Sequence, residues 1–383
     1  MERKPAKARL FIVIMVLLFL PLLEQNLQFI ESGKLLGVVA SNPAEPFSWA
    51  KWKDGSFQAQ MNLHLNDSFG FRPDLVRLNN QLDFSVFRKL HAHDVKMGKN
   101  HVFFEMTYVH EYKDTSAQNE LIAREKLTKL KKIQDTLEKA GKTVVLVYAP
   151  SKAYFFTNDF PDDISPQTGA GTAYHSFRRI GDSLGINQID CNGWFLKIKD
   201  TARCTVVSKQ GIHWTYYGAL IAADSIARYI EAQRHIKMPH MTWDKIKAES
   251  AYDQENDLVN GLNLIFPLEH EDYYHPEIKH IKPEGAVKPK IIFFGDSYLW
   301  TFAYNNVFNE YSDDWEFWYY FNEFWTTKSM GGQEPVRNES TSDWQKKLME
   351  KDCLVILYTE PNLLNLGNGF IEKAYDHFYP AHK

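Results

Sequence analysis

A serine that follows an apolar run, Ile291-Ile-Phe-Phe294-Gly-Asp-Ser297, has the make-up of a strand, turn and helix start. Such a unit lifts a hydroxyl to the carboxyl edge of a parallel sheet, where α/β proteins keep their sites. Gly295-Asp296 supplies the tight turn, and unpaired N–H groups at a helix start nearby can stabilise an oxyanion. The hydroxyl attacks a carbonyl only if a base takes its proton, and that base needs an orienting partner. His213, within Ser208-Lys-Gln-Gly-Ile-His213-Trp-Thr-Tyr-Tyr-Gly218, is the base on offer, ahead of a helix expected from Tyr216 to Ala232. The alternatives are a plain turn serine and a capping or core histidine packed beside Trp214. The tripeptide itself decides little. Gly181-Asp182-Ser183 recurs inside a charged, helix-like stretch and reads as helix surface.

These two segments need a frame, and the periodicity supplies one. Ser116 to Ala140 carries Leu121, Ile122, Leu127, Leu130, Ile133 and Leu137 at helical spacing, and Gly141 ends it. Thr143 to Tyr148 is rich in β-branched residues and reads as a strand, leading into Ala149-Pro-Ser-Lys152. A helix at Tyr174 to Leu184, strands near Ile186 to Ile189, 289 to 294 and Cys353 to Tyr358 continue the alternation. Strands alternating with helices predict an α/β sandwich with a central, mostly parallel sheet. Val95 to Phe104 reads as a hairpin. Residues 233–285 are polar and read as an insertion or a small β-rich excursion. Lys152 reads as solvated, and Asp296 as a structural turn residue. The aromatic run Trp315 to Trp325 could stack sugar rings, although so many rings together require a core role for some.

Composition bounds the class. The 383 residues, 44% apolar and 14% aromatic, can build a sizeable core. A formal net charge of -4 provides no basic field for nucleic acid. Arg3, Lys4, Lys7 and Arg9 precede an apolar run from Leu10 to Leu23 broken only by Pro21. This predicts an uncleaved signal-anchor in residues 1–39, basic end inside, with residues 40–383 forming an extracytoplasmic domain, periplasmic or at the cell surface. A cleaved signal is the alternative, and Val38-Val-Ala40 would fit its cleavage site. Cys191, Cys204 and Cys353 lack metal-type spacing. A Cys191–Cys204 disulfide and buried thiols are both open.

The order of segments along the chain resembles the SGNH hydrolase-like alginate O-acetyltransferases of the AlgX and AlgJ type. It is carried by Trp52-Lys-Asp-Gly-Ser-Phe-Gln, Asp67-Ser-Phe-Gly-Phe-Arg72, Met97-Gly-Lys-Asn-His-Val-Phe-Phe104, Tyr148-Ala-Pro-Ser-Lys152, Gly211-Ile-His213-Trp-Thr-Tyr-Tyr-Gly218, Gly295-Asp-Ser297 and Tyr358-Thr-Glu360. The resemblance implies an SGNH-like fold, Ser297 as nucleophile, His213 as general base, and no metal or cofactor. It implies O-acetylation of an exported or cell-surface polysaccharide through an acetyl-serine, with the acetyl donor delivered by a membrane-bound O-acyltransferase partner. The family places an aspartate two residues before the histidine, where this chain has Gly211. Asp190, Asp200 and Glu360 are the candidates for the missing acid. A Ser-His dyad, a carbohydrate acetyl esterase, and an inactive glycan-binding or assembly protein stay open beside the transferase.

Overall fold

The computed structural model describes residues 3–37, 42–268, 273–326 and 343–380. The chain folds into two compact units, Met1–His93 with Leu258–Glu269, and Asp94–Asp257 with His270–Lys383. In the first unit, helices Trp49–Asp54, Ser56–Ser68 and Arg72–Phe87 follow the N-terminal helix Arg3–Leu27. Lys7–Leu27 is long and apolar enough to cross a membrane, and most of its apolar side chains stand exposed, Leu17 at 62% and Leu18 at 64%. That exposure excludes a core helix. The cleavage-site candidate at residues 38–40 lies outside the described residues.

The second unit opens with the expected hairpin, β1 (Val95–Met97) against β2 (Phe103–Glu105). Helix Ala117–Lys139 then leads into β3 (Thr143–Tyr148), and helix Ala173–Leu184 into β4 (Gln188–Asp190). The copy Gly181-Asp182-Ser183 lies in that second helix, as its charged context predicts. After helix Tyr216–Arg234, the polar stretch forms two antiparallel ribbons. β5 (His240–Thr242) pairs with β8 (Lys279–Ile281), and β6 (Ile246–Glu249) with β7 (Tyr273–Pro276). β9 (Ile291–Gly295) precedes helix Leu299–Tyr304. β10 (Trp315–Tyr319), β11 (Glu323–Thr326) and β12 (Cys353–Tyr358) complete the strands.

The central sheet has the order β11-β10-β9-β12-β3-β4, parallel except for the β10–β11 hairpin at its edge. Alternation along each strand fills both faces, which is why its strands read as near-continuous apolar runs. Val145, Val147, Phe293, Val355 and Leu357 face one core, with helix Tyr216–Arg234. Val144, Leu146, Phe294, Ile356 and Tyr358 face the other, with helices Ala117–Lys139, Ala173–Leu184 and Phe370–Phe378. The aromatic run is mostly core. Trp315, Phe317, Trp318, Phe321 and Phe324 are all buried. The three cysteines are free, buried thiols.

Candidate functional site

Ser297, Lys152, Asp190 and Thr359 all lie at or just past the carboxyl ends of their strands, on one edge of the sheet. The serine turn is fixed by close approach. Gly295 pairs with both Tyr319 and Leu357, and a Cβ there would fall 2.0 Å from Leu357 O. Asp296 is buried and works on the backbone. Its Oδ1 accepts from Tyr298 N–H at 3.1 Å, and its Oδ2 from Thr359 N–H and Oγ1–H, both at 2.7 Å. It ties the end of β9 to the end of β12, the structural role expected of it.

His213 sits on a loop that returns on itself, with Val207 bridging Trp214. The loop is pinned from several sides. Lys152, 1% exposed, donates through Nζ to the carbonyls of Lys209 and Gly211. Tyr298 Oη–H donates to Ile212 O at 2.7 Å, and its ring lies 4.9 Å from the His213 ring. Lys152 is thus a buried strut rather than the solvated lysine expected from sequence. A long, apolar stem with three donors can be buried along its length while its ammonium satisfies two backbone carbonyls.

The structure brings Ser297 and His213 together. Ser297 Oγ lies 3.0 Å from His213 Nε2, and His213 Nδ1 lies 2.7 Å from Asp257 Oδ2. A carboxylate only accepts, so Nδ1 carries the proton toward Asp257 and Nε2 is left to accept from the serine hydroxyl. Asp257 Oδ1 accepts from Ile212 N–H at 2.7 Å, which locks the carboxylate against the histidine loop. Hydroxyl, imidazole and carboxylate are in line, the arrangement by which a serine triad activates its hydroxyl. No group of three or more potential metal ligands gathers among the described residues.

Asp257 was not among the acids singled out from sequence. It lies in the polar stretch between the histidine helix and β9, in Asp253-Gln-Glu-Asn-Asp257, where three acids in five residues read as solvated surface. The three expected acids lie elsewhere. Asp190 caps helix Cys191–Ile198 through Gly193 N–H and accepts from Tyr174 Oη–H. Asp200 is exposed past the end of that helix. Glu360 is 2% exposed and accepts from Tyr154 Oη–H at 3.2 Å.

The segment bearing Asp257 is itself held to the histidine loop. Glu255, 1% exposed, accepts from Tyr216 N–H through Oε1 and pairs with His275 Nε2 at 2.9 Å through Oε2. Ser208 Oγ–H donates to Glu255 O and accepts from Gly211 N–H. Glu105, at the end of β2, is a further carboxyl within electrostatic reach. Burial pushes its pKa up, Asp257 adds to the rise, and Thr107 and His213 oppose it.

Burial pushes Glu360 up to about 8 from an ordinary 4.5, so it is protonated in the folded protein at neutral pH. An acid raised in the folded state contributes stability that is fully present below its unfolded pKa and is lost as pH rises through its folded pKa. Stability is therefore expected to fall between pH 4.5 and about 8, by a few kcal/mol at ~1.4 kcal/mol per pKa unit. Glu360→Gln, permanently neutral, is expected to flatten that slope in thermal melts taken across the same window. An unchanged slope would place the titration elsewhere.

The family model described as "SGNH hydrolase-like domain, acetyltransferase AlgX" matches residues 95–304. The chain belongs to that family. AlgX-type membership makes it an SGNH-type O-acyltransferase by class, and the matched span contains Ser297, His213 and Asp257. No individual curated protein matches the chain. Among solved structures it is similar to the O-acetyltransferase domain of Pseudomonas putida AlgJ, at 18% identity and TM-score 0.48, covering 74% of this chain and 99% of that one. It is also similar to Pseudomonas aeruginosa AlgX, at 15% identity and TM-score 0.42, covering 73% and 67%. Bacillus cereus PatB1 follows at 11% identity and TM-score 0.39, covering 64% and 91%.

Proposed function

We propose that this chain transfers acetyl groups to hydroxyls of an exported or cell-surface polysaccharide through an acetyl-Ser297 intermediate. The observation that carries the reading is the hydrogen-bonded line Ser297–His213–Asp257, in a chain of AlgX type. Ser297 Oγ attacks the acetyl carbonyl of the donor while its proton passes to His213 Nε2. Asp257 stabilises the imidazolium that forms. The Ser297 N–H, engaged by no acceptor among the described residues, can face the oxyanion. The donor's leaving group then departs with the proton from Nε2. A sugar hydroxyl next gives its proton to Nε2 and attacks the acetyl-serine, and the proton returns to Ser297 Oγ as the ester is released. Every step uses side chains of the second unit and none needs a metal.

The apolar helix Lys7–Leu27 supports placing this unit outside the cytoplasm, on a membrane anchor. Acetyl groups must then cross the membrane, which supports a membrane-bound O-acyltransferase partner as the source of donor. The reading is tested with p-nitrophenyl acetate and intact-mass spectrometry. A single acetyl adduct is expected, mapped by peptide digestion to Ser297 and passed on to added polysaccharide. Adducts confined to other residues would overturn the reading. Turnover to free acetate that added polysaccharide does not divert would make the chain an esterase.

A further inference from the structure

An open cleft of about 560 Å³ is lined by Ala251, Tyr252, Gln254, Tyr304 and Asn305. We propose that this cleft is the acceptor subsite, in which a pyranose ring of the polysaccharide stacks on Tyr304 and bonds through its hydroxyls to the Gln254 and Asn305 carboxamides. The inference rests on the acyl-transfer reading and gives it a place for the acceptor.

Both walls of the cleft belong to segments that build the triad. Gln254 is three residues from Asp257, and its carbonyl lies against Gly211, two residues before His213. Tyr304 ends the helix Leu299–Tyr304 that begins just past Ser297, about 10 Å away at the rise of an α-helix. A sugar held there presents its own or its neighbour's hydroxyls at the distance of one or two rings from the nucleophile.

The lining has the chemistry of a sugar site. Tyr304 is 63% exposed, yet its ring is fixed by stacking on Trp300, at 5.2 Å and 23°. Trp300 is wedged in turn against Phe317, Tyr319 and Trp325. Tyr252 is equally fixed, stacked on His275 at 4.0 Å. Immobile rings lose little entropy when a ligand covers them, and their apolar faces match the C–H face of a pyranose. The carboxamides suit the hydroxyls around the ring, because each offers donors and an acceptor in one plane. The Gln254 carboxamide forms no hydrogen bond within the described residues, and that of Asn305 donates only to Thr301 O. A cleft of this volume lies within the usual range for a small-ligand site. The rings that could present themselves to sugar are thus these, rather than the buried run of β10 and β11.

The test is direct binding, read by tryptophan fluorescence and calorimetry on the full chain in detergent. The probes are hexamers of β-1,4-glucose, β-1,4-N-acetylglucosamine and mannuronate. At least one is expected to bind, and Tyr304→Ala to weaken it about tenfold, as for loss of a central aromatic contact. Tyr304→Trp is expected to restore binding. In turnover, Tyr304→Ala should raise the acceptor KM by the same factor. If Tyr304→Ala does not fold, Gln254→Ala replaces it, with a smaller loss expected. Equal affinity of wild type and the folded variant, or no binding of any probe at about 10 mM, overturns the subsite. Binding is read without turnover, so a failure of Ser297 to acylate would leave the subsite standing. Acylation of Ser297 with unaltered variant affinity would remove the subsite alone.

Discussion

Asp257→Asn is expected to lower kcat by about 10⁴-fold while leaving the fold and the thermal midpoint nearly unchanged, as for loss of the orienting acid in a serine triad. The reason lies in how the carboxylate is held. Ile212 N–H donates to Oδ1 and His213 contacts Oδ2. In the asparagine variant the Ile212 amide still requires an acceptor, so the side-chain carbonyl oxygen stays on Oδ1's side. The amide nitrogen then faces His213 Nδ1 and donates to it. The imidazole is forced to carry its proton on Nε2, against the serine, where it can no longer accept. The expected signature is loss of Ser297 acylation with unchanged binding of the acceptor glycan. Asn at Asp190 or Asp200 is expected to leave the acylation rate within about twofold, since neither side chain approaches the ring. Activity of Asp257→Asn within tenfold of wild type would show that a Ser-His dyad suffices.

How much of this was legible in the sequence follows the range of the interactions involved. Thr143–Tyr148 and Cys353–Tyr358 emerge with the bounds read from their composition, because a buried parallel strand must be apolar at nearly every position. Ser297 and His213 were also legible, since each is marked by its own neighbours: an apolar strand and glycine turn for one, a capped helix start for the other. Asp257 carries no such mark. Its role depends on a contact 44 residues away along the chain, made by a segment whose polarity resembles any exposed loop. Lys152 was missed for the related reason that its hold on the carbonyls of Lys209 and Gly211, 57 and 59 residues away, is made through backbone atoms that no side-chain pattern marks. Glycine at 211 did announce something. It left the acid to be sought elsewhere in the chain, and in the structure residue 211 lies against the backbone of the segment that carries Asp257.

Gly211→Ala is expected to cost about 1–3 kcal/mol of stability, as overpacking of a filled interior does. It is also expected to lower kcat by about 10²-fold, the scale of a small misplacement of reacting groups. A Cβ at 211 would fall 2.6 Å from Gln254 O and 2.7 Å from both the carbonyl carbon and oxygen of Glu255. These are backbone atoms of the segment that carries Asp257, so they yield only by moving that segment. Two holds resist the shift, Glu255 on Tyr216 N–H and Ser208 on Glu255 O, and the strain therefore falls on the His213–Asp257 contact. Gly211→Asp paired with Asp257→Asn, which moves the acid to two residues before the histidine, is expected to recover nothing for the same reason. The carboxylate would have to grow through the backbone of Gln254 and Glu255. Comparing acylation rates with the folded fraction at one temperature separates the two effects, because stability loss alone scales the rate with the folded fraction. A Gly211→Ala protein as active as wild type per folded molecule would show that the segment adjusts freely, and that the position of Asp257 places no demand on glycine.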